Sequence, residues 1–303
     1  MDASAAEGLT LDQLRLFLAV LDSGGFSAAS RSLRRAQSAV SYGIANLERQ
    51  LGVTLFDRSA RKPALTPAGE ELAAEARAVC AQVDRLRAKA HGIAEGVEPR
   101  LAVAVDHVFP LPALVAALRA FSETFPTVSL TLHTEVLGAV AEQVASGACS
   151  VGIGAAVPRW PEGVERRPLA RVTMLHVAAK THPLARLRGP LPSRVVRDHV
   201  QIVLADRSRL TSDFEIGVFS RRRWRVLDLT AKHALLRAGL GWGGMPLHVV
   251  ADDLAKKRLV RLNIEEAGAP TFEAILFALH RTAEPPGPAA RWLLERLGRG
   301  CSA

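Results

Sequence analysis

Gln37, Ser38, Ser41 and Tyr42 stand together in the run Ala36-Gln37-Ser38-Ala39-Val40-Ser41-Tyr42. A glutamine amide at a helix start can pair twice with the edge of adenine, and a serine hydroxyl can contact several bases. That chemistry needs the first turn of the helix to enter the major groove of DNA. Ser27, Arg34 and Arg35 lie just upstream and suit a different role, holding phosphates, which sets register without reading sequence. Arg58 and Arg61 fall in Phe56-Asp57-Arg58-Ser59-Ala60-Arg61-Lys62-Pro63, which reads as a basic wing reaching toward the backbone or minor groove. Residues 31–62 carry seven Lys/Arg against two acids, while 1–30 and 63–96 hold more acids than bases. The plain alternative for these residues is a solvated charged face.

Two short helices around a tight turn must position those side chains. The first opens at Phe26-Ser27, with Ser27 a candidate N-cap, and carries Ala29 and Leu33 four apart. Arg34-Arg35 marks the turn. The second helix has an inward stripe, Val40, Ile44, Leu47 and Leu51, spaced 4, 3 and 4, and ends at Gly52. Two helices of this kind, the second polar at its start, form a helix-turn-helix. Residues 67–93 read as one long helix, capped by Thr66, entered through Pro67 and closed by Gly92 and Gly96. Leu72, Ala76, Val79, Val83, Leu86, Ala90 and Ile93 alternate 4 and 3 apart, an a/d seam. Packing on its own domain is the simpler reading of that seam. Its length of about three heptads favours pairing with a second copy, through Leu72, Ala76, Val79, Val83 and Leu86.

The 303-residue chain is longer than one typical domain, and 49% hydrophobic content is enough for real cores. Beyond residue 97 strands and helices alternate: 101–108, a helix opened by Pro110 and Pro112, 128–134, a helix over 136–147, and 149–154. Pro158 and Pro161 interrupt the pattern and suggest a crossover between subdomains. A second set follows at 172–180, 200–206, 222–228, 231–239, 258–262, 271–280 and a closing helix from Arg291. Such alternation predicts a mostly parallel sheet with ligands at the C-terminal strand ends.

Several chemistries find no support. Gly239, Gly241 and Gly244 fit G-x-G-x-x-G but follow a helix and open no βαβ unit, so a dinucleotide site is rejected. The nine histidines show no metal spacing, and no nucleophile elbow or catalytic carboxylate pair appears. The expectation is no cofactor, no metal and no enzyme. Three cysteines far apart, Cys80, Cys149 and Cys301, suit a reducing compartment. The first ten residues lack an apolar signal region, and no run of apolar residues would span a membrane. The cytoplasm is the expected location. The net charge of +9 suits a polyanionic partner.

Residues 26–72 closely resemble the winged helix-turn-helix of LysR-type transcriptional regulators. The family pattern F-x-x-A-A-x-x-L, then S-Q-x-A-V/L-S, L-E-x-x-L-G-x-x-L-F-x-R and L-T-x-A-G is met nearly throughout, with departures at Ala36 and Tyr42. His182-Pro183-Leu184-Ala185 and Ala238 through Pro246 look like landmarks of the same family.

The resemblance implies an all-α N-terminal part joined to α/β architecture. Its parts would be a winged helix-turn-helix over 1–66, a linker and dimerisation helix over 67–96, and a periplasmic-binding-protein-like effector domain of two α/β lobes over 97–303. Lobe I would take 97–162 and 266–303, and lobe II 163–265. It further implies a homodimer or homotetramer on a double-stranded DNA operator, with RNA polymerase as a candidate further partner. A small effector, with a mild preference for an anion, would enter the inter-lobe cleft. Strand ends place Asp106, His107, Val108, Phe109, Thr134, Glu135, Asp206, Arg207 and Ser208 there, each of which also reads as ordinary surface loop. An effector-independent regulator, or a redox sensor using Cys149, is the alternative reading. A solute-binding protein or a cryptic enzyme in the α/β half would require signals the sequence does not carry.

Overall fold

Thr10 starts the first helix with a reciprocal cap. Its hydroxyl accepts from the Gln13 amide at 3.3 Å, and Gln13 Oε1 accepts from the Thr10 amide at 2.8 Å. A computed structural model describes residues 8–57, 63–211 and 217–300. The chain forms two compact units, residues 1–91 and 92–303.

The first unit contains α1 (Leu11–Asp22), α2 (Phe26–Leu33), α3 (Gln37–Leu51), β1 (Phe56–Asp57), β2 (Ala64–Leu65) and most of α4 (Pro67–Ala94). Its core gathers Phe17 and Val20 from α1, Ala29 from α2, Val40, Ile44 and Leu47 from α3, and Ala73, Ala76 and Cys80 from α4. Leu33 and Leu51 are the exposed ends of their stripes. Antiparallel β1 and β2 pair Phe56 with Leu65 and Asp57 with Ala64. Residues 58–62 between them, with Arg58 and Arg61, lie outside the described residues. Thr66 caps α4 by accepting from the Gly69 amide at 3.0 Å. Gly69 lets the helix approach closely: a Cβ there would lie 2.2 Å from the Leu55 carbonyl oxygen.

The second unit runs β3 (Arg100–Asp106), α5 (Leu111–Thr124), β4 (Ser129–Glu135), α6 (Gly138–Ala145), β5 (Val151–Ala155), β6 (Val164–Ala179), α7 (Ser193–Val196), β7 (Gln201–Leu204), β8 (Arg223–Val226), α8 (Leu229–Arg237), β9 (Trp242–Pro246), α9 (Leu247–Ala255), β10 (Leu259–Leu262), β11 (Thr271–Arg281) and α10 (Pro288–Gly300). One sheet has the order β4-β3-β5-β11-β6-β9-β7-β8, with β10 also pairing β6. Pairing is parallel among β4, β3 and β5 and among β9, β7 and β8. The long β6 and β11 join these groups by antiparallel pairing, so the sheet is mixed rather than mostly parallel.

The result is two α/β lobes with separate cores. α5 and α10 cover one face of the first, with Phe121, Leu293 and Leu297 against Leu101, Val103 and Ile153. α8 and α9 bury Leu236 and Val250 against Leu175, Ile202 and Met245 in the second. Strand β6 begins eight residues before the expected 172, because Val164–Arg171 is largely exposed and carries no apolar alternation. Leu276 pairs with Ala170 and Phe277 with Pro168, leaving Leu169 as the extra residue of a bulge. A bulge is where a strand tolerates a proline.

Candidate functional site

Helices α2 and α3 are joined by three residues. Arg34 takes a left-handed conformation with φ 54°, and Ala36 returns to extended backbone before Gln37 starts α3. Gln37, Ser38 and Tyr42 are exposed and Ser41 is half-buried, while Val40, Ile44 and Leu47 take the opposite side into the core. Tyr42 is 70% exposed, which is unusual for so large an apolar ring. No side chain caps α3 at Ala36, so its first amides remain available to a phosphate oxygen.

The phosphate candidates divide. Arg34 is exposed, and among the described residues its guanidinium has no ion-pair or hydrogen-bond partner. Arg35 forks onto Asp12 of α1 at 2.6 and 2.9 Å, bracing the turn to α1. That bond holds the Asp12 carboxyl below its ordinary range. The pair is exposed, so it contributes little stability and can be exchanged. Ser27 is not the N-cap of α2. Gly25 takes that position without a side-chain bond, and the Ser27 hydroxyl accepts from Arg31 at 3.0 Å within the helix. Glu48 is the acid of the family pattern L-E-x-x-L-G, and the structure shows what it holds. Its Oε1 accepts from the Leu55 and Phe56 amides at 2.9 and 3.2 Å and fastens the end of α3 to the wing strand. A carboxylate seven residues from its partner leaves no periodic pattern.

Helix α4 has two apolar faces. Ala76 is 4% exposed and belongs to its own core, with Leu72 half-buried against it, so these two seam positions have little surface left for a partner. Val79 (47%), Leu86 (65%) and Ile93 (55%) are exposed seven residues apart, with half-buried Val83 between them.

Between the lobes of the second unit is a cavity of about 380 Å³. Of the sequence candidates, Asp106 and Val108 line it. His107, Thr134, Glu135, Asp206 and Arg207 surround a neighbouring polar hollow of about 200 Å³. Phe109 is a core residue of the first lobe, 4% exposed, because the chain turns inward ahead of α5. Ser208 is also buried, and its hydroxyl bonds Asp206 at 2.8 Å. Asp106 accepts from the amides of Val108 (3.0 Å), Leu137 (2.9 Å) and Ala155 (3.5 Å). Burial raises its carboxyl above the usual range, and the amides oppose that shift. Asp106 fastens the loop after β3, the approach to α6 and the end of β5 to one another.

The main cavity residues are not legible as such in the sequence. Met174, Ile202, Leu204, Phe272 and Ile275 give it apolar walls. His176 is 3% exposed, ringed by Phe219, Trp242 and Phe272 at 5.5 to 5.7 Å. Burial pushes its imidazole down to about 4, leaving it neutral at neutral pH. Gln201 Oε1 accepts from the Phe219 and Ser220 amides at 2.8 and 3.0 Å, and its Nε2 donates to the Gly217 carbonyl at 2.7 Å. Lys232 lines the cavity from α8 at 5% exposure. Burial drives its amine down to about 7. This residue does leave a sequence signal: Leu229, Lys232 and Leu236 share one buried face, with a lysine in an apolar position.

Cys149 is fully buried, and burial raises its thiol to about 11, the opposite of an activated cysteine. Among the described residues no three His, Cys, Asp or Glu side chains are placed to hold a metal. No helix among them is long and apolar enough to cross a membrane.

Residues 11–70 match the family profile described as "Bacterial regulatory helix-turn-helix protein, lysR family", and residues 94–302 match "LysR substrate binding domain". The chain is similar to the HTH-type transcriptional regulator PunR of Escherichia coli (strain K12), with 31% identity over 92% of this chain and 90% of PunR. It is similar to the HTH-type transcriptional regulator YhaJ of Escherichia coli O157:H7, with 30% identity over 95% of this chain and 96% of YhaJ. Among solved structures it resembles a Corynebacterium glutamicum OxyR C206 mutant at TM-score 0.54 and 23% identity, over 96% of this chain and 92% of that one. That last likeness concerns the fold.

Proposed function

The chain belongs to the LysR family of DNA-binding transcription regulators with an effector-binding domain, and from that premise we propose how its residues divide the work. Gln37, Ser38, Ser41 and Tyr42 read bases in a major groove. Ser27, Arg34, Arg35, Arg58 and Arg61 serve the phosphates. Two or four copies assemble on a promoter in the cytoplasm, paired along Val79, Val83 and Leu86 of α4, which sets the two α3 helices at half-site spacing. The parts are a winged unit over 1–66, a linker over 67–96 whose first half packs into the winged unit's core, and an effector domain over 97–303. Lobe I takes 97–162 and 266–303, and lobe II takes 163–265.

The reading rests most on α3, whose polar first turn faces solvent while its apolar stripe is committed to the core. A small effector enclosed between the lobes changes promoter contacts, supported by the apolar cavity with few polar groups. The protein acts by binding rather than by turnover. The test is gel-shift and footprinting on the intergenic DNA beside its own gene. A protected dyad-symmetric site, weakening steeply as salt rises, is expected. Failure to protect any such site at low salt overturns the reading.

A further inference from the structure

Lys232 enters the inter-lobe cavity from the first turn of α8, and among the described residues its ammonium has no hydrogen bond or ion pair. A buried charge is costly unless it is paired. The surroundings are shaped for this lysine. A Cβ on Gly243 would lie 3.3 Å from the Lys232 Cε and 2.5 Å from the Ile202 carbonyl oxygen, so glycine there leaves room for the stem. The walls nearby are Met174, Ile202, Leu229, Phe272 and Ile275, which offer contact to hydrocarbon and nothing to a second charge.

Among the described residues, the other ionisable groups of the cavity do not neutralise the lysine. Asp106 spends its oxygens on three backbone amides. Glu273 accepts from the Thr173 hydroxyl at 2.9 Å on the exposed side. His176 is neutral and adds no charge at neutral pH. One ammonium pairs one negative charge, and the apolar walls named above offer no partner to a second. We propose that the effector is a small organic monoanion, a single carboxylate on a compact apolar body, seated with its charged end on Lys232 and its body between Met174, Phe272 and Ile275.

This proposal rests on the effector reading of the cavity, and the experiment separates the two. Full-length protein is titrated by calorimetry with phenylacetate and 4-methylpentanoate, with their neutral amides, and with phenylmalonate, which adds a second carboxylate to the first probe. Both acids are expected to bind, with the amides and the diacid at least tenfold weaker. Lys232→Met is expected to lose at least tenfold in affinity for the acids while keeping its operator affinity without ligand. Lys232→Gln, which keeps a polar end, serves as a second variant and reports the same loss if the charge is what matters. Amides that bind as well as the acids, or a Lys232→Met protein that binds the acids unchanged, overturns the monoanion assignment alone. Failure of every probe, charged and neutral, overturns the assignment and the effector reading of the cavity with it.

Discussion

Asp206 accepts a hydrogen bond from the Ala139 amide at 3.1 Å, tying a loop after β7 in one lobe to the first turn of α6 in the other. The same carboxylate receives the Ser208 hydroxyl at 2.8 Å and the Thr211 hydroxyl. Gly138 makes the contact achievable, since a Cβ there would lie 3.0 Å from Asp206 Oδ2 and 2.3 Å from Ser208 Oγ. A carboxylate at a helix N-terminus is also favoured by the helix dipole. Asp206 is therefore a latch across the cleft.

Asp206→Ala should destabilise the second unit by about 1–2 kcal/mol, because it leaves an amide and two hydroxyls to find new partners. Gly138→Ala should do similar damage by pushing the same groups apart. Denaturant unfolding of the full chain measures both. If neither variant shifts the midpoint of the effector domain, the latch has no energetic weight.

In the DNA-reading unit, Gln37→Ala should cost about 1–3 kcal/mol of discrimination at one base pair, because an amide pairing twice with a base is lost. Arg34→Ala should weaken binding across all sequences and reduce the salt slope by about one. Arg35→Ala differs in kind: it also frees Asp12, so it should perturb the turn even without DNA. Competition gel shifts on single-base operator variants separate these effects. A Gln37→Ala protein with unchanged base preference would place α3 wrongly.

Along α4 the two faces predict opposite outcomes. Leu86→Asp and Val79→Asp alter exposed positions and should lower the solution mass toward a monomer while the helix-turn-helix still melts cooperatively. Ala76→Asp puts an unpaired charge into a core position at 4% exposure and should unfold the first unit. Light scattering with thermal melting distinguishes them, and an unchanged mass for Leu86→Asp removes this seam from the assembly.

The parts legible in the sequence are those with short-range periodicity. Val40, Ile44 and Leu47 repeat at helical spacing, so α3 and its exposed face follow from sequence alone. The α4 seam is visible too, but periodicity cannot say which neighbour an apolar face meets, and Ala76 turns inward. The first half of β6 is hidden because Glu165, Arg166 and Arg167 alternate with nothing apolar. Antiparallel joining by β6 and β11 depends on pairing residues about a hundred positions apart, such as Leu175 with Thr271. Strand ends point to Asp106 and Val108, which line the cavity, but Lys232 reaches it from the first turn of α8, His176 from within β6 and Phe272 from the start of β11. A lysine on the buried stripe of α8 is the readable exception.

That lysine gives the chain a pH-dependent stability with a definite sign. Its ordinary value is 10.5, and in the fold burial holds it at about 7. Between pH 7 and 9 the unfolded chain keeps this proton while the folded chain releases it. The unfolded state then binds more protons, so this contribution raises stability as pH rises, by up to about 1.4 kcal/mol per pH unit. Below pH 7 both states hold the proton and the full penalty of the buried charge applies. The upper limit is set by Cys149, whose raised thiol begins to act in the opposite direction above its ordinary 9.0. His176 shares the cavity but titrates near 4, below the window, and Asp106, raised by burial, acts against the lysine's trend. Lys232→Met should therefore be more stable than the parent at pH 7, and the difference should shrink toward pH 9. Denaturant midpoints at pH 7, 8 and 9 measure it. A Lys232→Met protein with the parent's stability at every pH would mean the ammonium is solvated or paired, and that the cavity carries no uncompensated charge.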